Sequence, residues 1–411
     1  MLRFAPRPTG DMSVADLRTA LCNYLVAKRR GERFVVRLED GDRMRNVEGK
    51  DREILDILGL CGIVFDDVAY QSRNLTIHQH MALKLLQERK AFACFCPPGQ
   101  ADDAPYRGGC DTLADAEVID NPAPFVVRLK KPEKPVLFDD ALRGPLAFSP
   151  EAVDSFVIMH TDKSPTYDFA CAVDDMLLDI SFVVRDETHL ADTPRQIAVR
   201  EALGYDRAVG YAHLPALEGG GATVRELLEA GFLPEAIVNY LLVLSMETPK
   251  EIFSLEEAAA WFDIAKLART PARFDREALR AVNREQMRRA DAKELSRAFG
   301  FADAEIGELA KCYLDEGCTV AEIRPRIDAV FAPKPFAGEH GETMRTLQSL
   351  LREAPLFESY DALKTHVTEA TGLSGDALAK PLRLLLTGEA EGPELSILYP
   401  HLKNYLQEII Q

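Results

Sequence analysis

The stretch Asp16-Leu17-Arg18-Thr19-Ala20-Leu21-Cys22-Asn23-Tyr24-Leu25-Val26-Ala27-Lys28-Arg29-Arg30-Gly31, followed by Arg33-Phe34-Val35-Val36-Arg37-Leu38, sets the fold class. Leu17, Ala20, Leu21, Tyr24 and Leu25 recur at helical spacing, and Gly31 is suited to end the helix. The next run is apolar with polar residues at its ends and predicts a strand. A helix follows at 51–60, with Ile54, Leu55 and Leu58 on one side, and another at 78–88. Strand and helix in alternation imply a parallel sheet covered by helices.

Outward from this block the pattern changes twice. Between 97 and 124, Pro97, Pro98, Gly99, Pro105, Gly108, Gly109, Pro122 and Pro124 predict an irregular insertion. Strands are expected at 125–129, 155–160 and 180–185, then a helix at 193–203 with Pro194 in its first turn. From 224 onward the spacing is almost wholly helical, at 226–230, 234–244, 255–262, 276–282 and beyond. The layout is an N-terminal α/β domain with an insertion, then a helical C-terminal half.

Composition narrows the function. The 411 residues, 47% of them hydrophobic, can bury a sizeable core, and about two to four domains are expected. With 49 Lys+Arg against 66 Asp+Glu the formal net charge is −17, which argues against bulk affinity for nucleic acid and against DNA as a partner. A local basic face on an acidic body remains compatible with it. No apolar run approaches the ~20 residues of a membrane span, and Met1–Pro6 lacks the apolar stretch of a secretory signal. A cytoplasmic protein without a membrane partner is expected. Eight cysteines are too sparse for a disulfide scaffold, but Cys94, Cys96 and Cys110 gather closely, which points to metal.

Several motifs, in one order, carry a resemblance. Arg3-Phe4-Ala5-Pro6-Arg7-Pro8-Thr9-Gly10 resembles the R-F-A-P-S-P-T-G opening of bacterial glutamyl-tRNA synthetases. Arg37-Leu38-Glu39-Asp40-Gly41-Asp42 is similar to their R-I-E-D-T-D. Pro165-Thr166-Tyr167-Asp168-Phe169-Ala170 with Val173-Asp174-Asp175 is similar to P-T-Y-x-F-A-x-x-V-D-D. Arg185-Asp186-Glu187-Thr188-His189, with Thr193-Pro194-Arg195-Gln196, is similar to R-G-E-D-H and T-P-x-Q. The resemblance implies an α/β class I synthetase: a Rossmann-type catalytic domain with an inserted acceptor-end domain, followed by an all-α anticodon-binding domain. The expected spans are 1–92 and 155–212 for the catalytic halves, 93–154 for the insertion, 213–300 for a stem-contact region and 301–411 for the anticodon-binding part.

The resemblance also implies a glutamate pocket. Glutamate carries one ammonium and two carboxylates, so a pocket needs an acid for the first and arginines for the others. By motif, Arg3 and Arg185 hold carboxylates, Glu39 holds the ammonium and Tyr167 hydrogen-bonds the substrate. Ala5, Arg7 and Cys171 stand at further pocket positions, Arg7 where the family has Ser and Cys171 where it often has Asn. Read alone, Arg37 and Glu39 are a surface pair at a strand end.

The departures fall on the segments that handle ATP. Where the family has H-I-G-H or H-I-G-G/N, this chain has Ser13-Val14-Ala15-Asp16. Ser13 with Asp16 three positions on, before an apolar helical stripe, reads instead as a capping box. The K-M-S-K-R loop should lie between Tyr211-Ala212-His213-Leu214-Pro215 and Gly231-Phe232-Leu233-Pro234, yet a short Ala216–Ala222 run joins directly to a helix. No lysine occurs from 164 to 249. No intact catalytic motif is therefore expected. Gly41 in place of Thr, and Thr188 within the R-G-E-D-H position, are milder changes near the same cavity.

Two further sites are expected. Some glutamyl-tRNA synthetases and their tRNA-modifying relatives hold a structural zinc with C-x-C and Y-x₃-C, which Cys94, Cys96, Tyr106 and Cys110 match. Three free cysteines on a loop are the alternative. For tRNA the candidates are Arg273, Arg276 and Arg280 in a locally basic stretch, with Arg383 by resemblance; the alternative is a solvated helix surface paired with Asp275, Glu277 and Glu285. Three functions stay open: a tRNA- or partner-binding pseudo-synthetase with tRNA(Glu) or a related tRNA and L-glutamate as partners, an active ligase using ATP/Mg²⁺ through altered groups, or an assembly factor without tRNA.

Overall fold

The computed structural model describes residues 1–96 and 106–411. Pro97, Pro98, Gly99 and Pro105 of the expected irregular segment lie outside the described residues. Contacts divide the chain into two units, residues 1–225 with 241–274, and residues 226–240 with 275–411. These divisions differ from the expected boundaries at 212 and 300.

In the first unit the strands β1 (Leu2–Phe4), β2 (Phe34–Leu38), β3 (Asp67–Tyr70), β4 (Ala91–Cys94), β5 (Val126–Leu129), β6 (Val136–Asp140), β7 (Gly144–Phe148), β8 (Val157–Met159), β9 (Phe182–Asp186) and β10 (Gly210–Leu214) form two sheets. The larger has the order β3-β2-β1-β9-β10-β6-β7 and is parallel except for the β6–β7 hairpin. The smaller, β4-β5-β8, is antiparallel. Helices α1 (Val14–Arg30), α2 (Lys50–Leu60) and α3 (Leu75–Gln87) follow the first strands as the periodicity requires. Gly31 ends α1 at φ 64°, in the left-handed region that glycine enters without a Cβ penalty.

One feature of the insertion differs from expectation. The hairpin β6–β7 falls inside 93–154 yet adds to the main sheet beside β10, with Tyr211 opposite Asp140. Its first strand alternates buried and exposed from Val136 to Asp140, as a strand with one covered face should. A further pair, β11 (Leu217–Glu218) with β12 (Ala272–Arg273), follows β10 in place of a long loop.

The second unit is helical. Arg276–Arg289, Ala304–Cys312, Val320–Phe331, Gly341–Glu353, Asp376–Thr387 and Leu395–Leu402 surround a core that includes Phe299, Tyr313, Ile323, Leu347, Leu382 and Tyr399. Gly231 (φ 80°) lets the chain pass so close to the Val320–Phe331 helix that a Cβ would lie 2.3 Å from the Ala321 nitrogen. The first-unit core runs through Leu85, Leu129, Ile158, Phe169 and Val199. Among the described residues no helix is long and apolar enough to cross a membrane.

Candidate functional site

A cavity of about 310 Å³ opens at the carboxyl ends of β1, β2 and β9, where parallel α/β sheets commonly bind ligands. Arg3, Ala5, Arg7, Glu39, Tyr167 and Arg185 all line it, together with His189. Six of the seven expected pocket residues thus come together. Cys171 does not reach the cavity: it is buried behind Glu39, and its thiol donates to Glu39 Oε1 at 3.2 Å.

The pocket charges rest on a buried network. Arg3 Nε donates to Asp175 Oδ1 at 3.0 Å, and Arg37 Nη1 donates to the same oxygen at 2.5 Å. Arg37 Nη2 then donates to Glu39 Oε1 at 3.2 Å. Arg37 is 1% exposed and Asp175 2%, so the surface-pair reading of Arg37 and Glu39 is overturned. Burial pushes the Asp175 carboxyl up, but Arg3 and Arg37 outweigh it and hold it at about 2. Burial works against the Arg37 charge, yet Asp175, Cys171 and Glu39 keep it above its ordinary range. The network orients a cation (Arg3) and an acid (Glu39) toward one cavity. Arg7 is spent nearby, with Nε 3.4 Å from Glu39 Oε2 and its guanidinium 4.7 Å above the Tyr167 ring.

At the other end of the cavity stands the start of α1. Ser13 caps the helix: its hydroxyl accepts from Asp16 N at 3.1 Å, while Asp16 Oδ2 accepts from Ser13 N at 3.0 Å and from the Ser13 hydroxyl at 2.7 Å. Residues 222–224 run antiparallel beside it, so Val14 N donates to Ala222 O at 3.0 Å and Val224 N to Met12 O at 2.9 Å. Val14 N and Asp16 N, two of the helix N–H groups that could hold an anion, are thereby satisfied by the protein's own oxygens. Space remains, because Asp11, Asp16 and Thr19 line the cavity, but it is faced by acids. Lys50 is held by Asp11 and by Glu53 (2.9 Å), and Arg225 lies 3.1 Å from Glu53.

Cys94, Cys96 and Cys110 converge, with all three sulfurs within 4.8 Å of one another. The Cys96–Cys110 sulfur separation of 3.8 Å suits thiolates on one tetrahedral ion at ~2.3 Å each. Tyr106 completes the group: its hydroxyl accepts from Cys110 N at 2.7 Å and bonds the Cys110 thiol. Gly108 is required beside it, since a Cβ there would stand 2.7 Å from Cys96 Sγ. The residues present fit a metal ion.

The basic candidates divide. Arg280 is ion-paired with Glu322 at 2.5 Å and with Glu277, and Arg288 and Arg289 pair with Glu285. These guanidiniums are thus held by neighbouring carboxylates. Arg273 and Arg276 are exposed, the latter 5.6 Å over the Phe232 ring. Arg383 keeps a buried Nη1 without a hydrogen-bond partner.

Sequence reasoning missed Arg37, Asp140, His213 and Asp175 as site residues. Asp174 and Asp175 were visible as a motif, but the partners of Asp175 lie on strands far earlier in the chain.

Comparison with known proteins decides the family. The family described as tRNA synthetases class I (E and Q), catalytic domain, matches residues 1–281. The chain is 47% identical to glutamate–tRNA ligase 2 of Sulfurimonas denitrificans over 432 positions, covering all of both chains. The chain belongs to the glutamate–tRNA ligase family. It is also 48% identical to glutamate–tRNA ligase 1 of Nitratiruptor sp., again over the full length of both. Among solved structures, a glutamate tRNA ligase of Elizabethkingia meningosepticum in complex with its amino acid is similar, with a TM-score of 0.78 at 25% identity, covering 99% of this chain and 97% of that one. The glutamate-tRNA synthetase of Elizabethkingia anophelis gives 0.75 at 25% identity, covering 99% and 98%. The class I α/β catalytic fold with a helical C-terminal region follows from these likenesses.

Proposed function

We propose that this chain is a glutamyl-tRNA synthetase-like protein of the cytoplasm that holds L-glutamate and tRNA(Glu) or a related tRNA, and has lost ATP-dependent activation of glutamate. The observation that carries this reading is the start of α1, where Ser13, Asp16 and Ala222 occupy the groups that would receive a polyphosphate. Two like charges about 4 Å apart at an effective dielectric near 20 repel by roughly 4 kcal/mol, so an Asp16 carboxylate opposes a triphosphate there. Losing one preorganised donor to developing charge costs about 2.7–4 kcal/mol, and losing two slows adenylation by roughly 10⁴–10⁶ if the effects add.

The glutamate end supports ligand binding. Arg3 and Arg185 stand for the carboxylates, Glu39 for the ammonium and Tyr167 for a hydrogen bond. The relatives' names support tRNA(Glu) as the nucleic acid, with the helices of 301–411 at the anticodon and Arg273, Arg276 and Arg383 on phosphates. Zn²⁺ on Cys94, Cys96, Cys110 and Tyr106 is structural in this reading: a closed four-ligand site folds a segment poor in apolar residues.

A second reading, an active glutamate–tRNA ligase, is favoured by the open space reaching Asp16 and Thr19. Pyrophosphate exchange with glutamate, ATP/Mg²⁺ and tRNA(Glu) separates the two. Exchange indistinguishable from a no-enzyme control is expected; exchange at ordinary synthetase rates establishes the ligase.

A further inference from the structure

Arg185 reaches the cavity from β9, and every nitrogen of its guanidinium is engaged behind the cavity wall. Nε donates to His213 Nε2 at 3.2 Å, Nη1 to Gln196 Oε1 at 3.0 Å and Nη2 to Thr193 Oγ1 at 2.6 Å. One N–H on each terminal nitrogen is left over, which is the fork a carboxylate accepts. The Thr193 hydroxyl accepts from Arg185 and lies 2.9 Å from His213 Nε2 and 3.4 Å from His189 O, the two acceptors in reach of its one proton. The Arg185 Nε–H can only donate, so His213 Nε2, which receives it, is the unprotonated nitrogen. The other ring nitrogen then carries the proton and donates to Asp140 Oδ2 at 2.7 Å.

Asp140 is fixed in turn. Its Oδ2 also accepts from the His213 backbone N–H at 3.0 Å, and Oδ1 accepts from Leu142 N at 2.9 Å and Arg143 N at 3.0 Å. His213 is 0% exposed and Asp140 2%. Asp140 arrives on the β6–β7 hairpin that joins the main sheet, which gives that hairpin a reason to be there.

We propose that Asp140 and His213 are positioning residues: Asp140 fixes the Nδ1–H tautomer of His213, so that Nε2 accepts from Arg185 and aims its free fork at a ligand carboxylate. The inference rests on the glutamate-pocket reading for its ligand, though not for its geometry. Burial keeps the imidazole below its ordinary range, in keeping with a neutral ring beside the Arg185 charge.

The test is Asp140→Asn, a near-isosteric change. An Asn amide facing Nδ1 as donor forces the Nε2–H tautomer, which turns a donor toward Arg185 Nε–H, by the logic that disables a catalytic histidine whose aspartate is replaced. Full-length protein with ¹⁵N-labelled histidine and arginine is expected to show His213 neutral with Nδ1–H, and D140N to show Nε2–H with a displaced Arg185 Nε–H signal. L-Glutamate affinity, by calorimetry, is expected to fall about tenfold to a hundredfold in D140N, the loss typical of a hydrogen bond to a charged group. His213→Gln, whose amide oxygen can take the place of Nε2, is expected to keep most of the affinity, and His213→Leu to lose it. A wild-type Nε2–H tautomer, or equal affinity in wild type, D140N and H213L, overturns the proposal. Absence of glutamate binding to wild type removes the ligand reading alone, and the tautomer with the Arg185 signal then decides the positioning.

Discussion

Asp16 Oδ2 lies 2.7 Å from the Ser13 hydroxyl and 3.0 Å from the Ser13 backbone nitrogen, closing the start of α1 upon itself. In a class I fold this helix end faces the cavity, and its free N–H groups and positive dipole favour anions. Here the dipole is complemented by a carboxylate from within the chain. The same exchange stabilises the helix and discourages a polyphosphate.

Ser13→Ala removes one half of the cap. A loss of about 1 kcal/mol is expected, read as a lower urea midpoint with unchanged slope. Ser13→His should not restore pyrophosphate exchange, because residues 222–224 still occupy Val14 N and residues 164–249 contain no lysine. Recovery of exchange in that single variant contradicts the double loss.

Asp175 ties acid stability to the pocket. Its carboxyl is held at about 2 in the folded protein against an ordinary value near 3.9, so its contribution is fully present above about pH 4 and is lost as pH falls toward 2. The size is roughly 2–3 kcal/mol. Asp175→Asn should flatten the stability profile across that window. At pH 5 it should also cost about 3 kcal/mol, because Arg3 and Arg37 lose their shared buried partner. Unfolding midpoints of both proteins between pH 5 and pH 2 check this.

Asp168 has the opposite sign. Burial, then the charge of Asp192, raises its carboxyl to about 6, so the folded state favours the protonated form and stability is lost as pH rises from about 4 through 6. Asp168→Asn keeps an acceptor for Gln196 Nε2, which now donates at 3.0 Å. It should stabilise the protein by up to about 2 kcal/mol at pH 7 and hardly at all at pH 4. Equal effects at both pH values contradict the assignment.

Metal removal tests the cysteine cluster. Protein purified without chelator should carry one zinc per chain by elemental analysis, and Cys110→Ser should lose it with a lower melting temperature. Metal-free wild-type protein of unchanged melting temperature contradicts the site.

For tRNA, Arg273→Ala and Arg276→Ala should each weaken binding and reduce the salt dependence by about one unit of slope. Arg280→Ala should change it less than twofold, since Glu322 and Glu277 already hold that guanidinium. Filter binding across a salt series reads both. No preference for tRNA(Glu) over bulk RNA would favour the assembly-factor alternative.

Much of this was legible in the chain. The stripe from Leu17 to Leu25 fixed α1 and Gly31 its end, while Ser13 with Asp16 marked the cap, because all of these are local effects. Arg37 was not legible: its neighbours suggest a polar strand end, and the group that buries it, Asp175, comes from a helix formed much later in the chain. The hairpin at 136–148 was hidden among Pro and Gly that signal irregular chain, although Val136 to Asp140 alternates in the manner of a strand. The bridge from Ala222 to Val14 could not be read at all, since a single backbone hydrogen bond leaves no side-chain pattern.

The most direct measurement is calorimetric titration of the full-length protein with ATP/Mg²⁺ at saturating L-glutamate. The account predicts no saturable heat up to millimolar nucleotide, while L-glutamate alone still binds. Saturable ATP binding at micromolar concentration, abolished by a bulky substitution at Thr19 in the cavity wall, would contradict it.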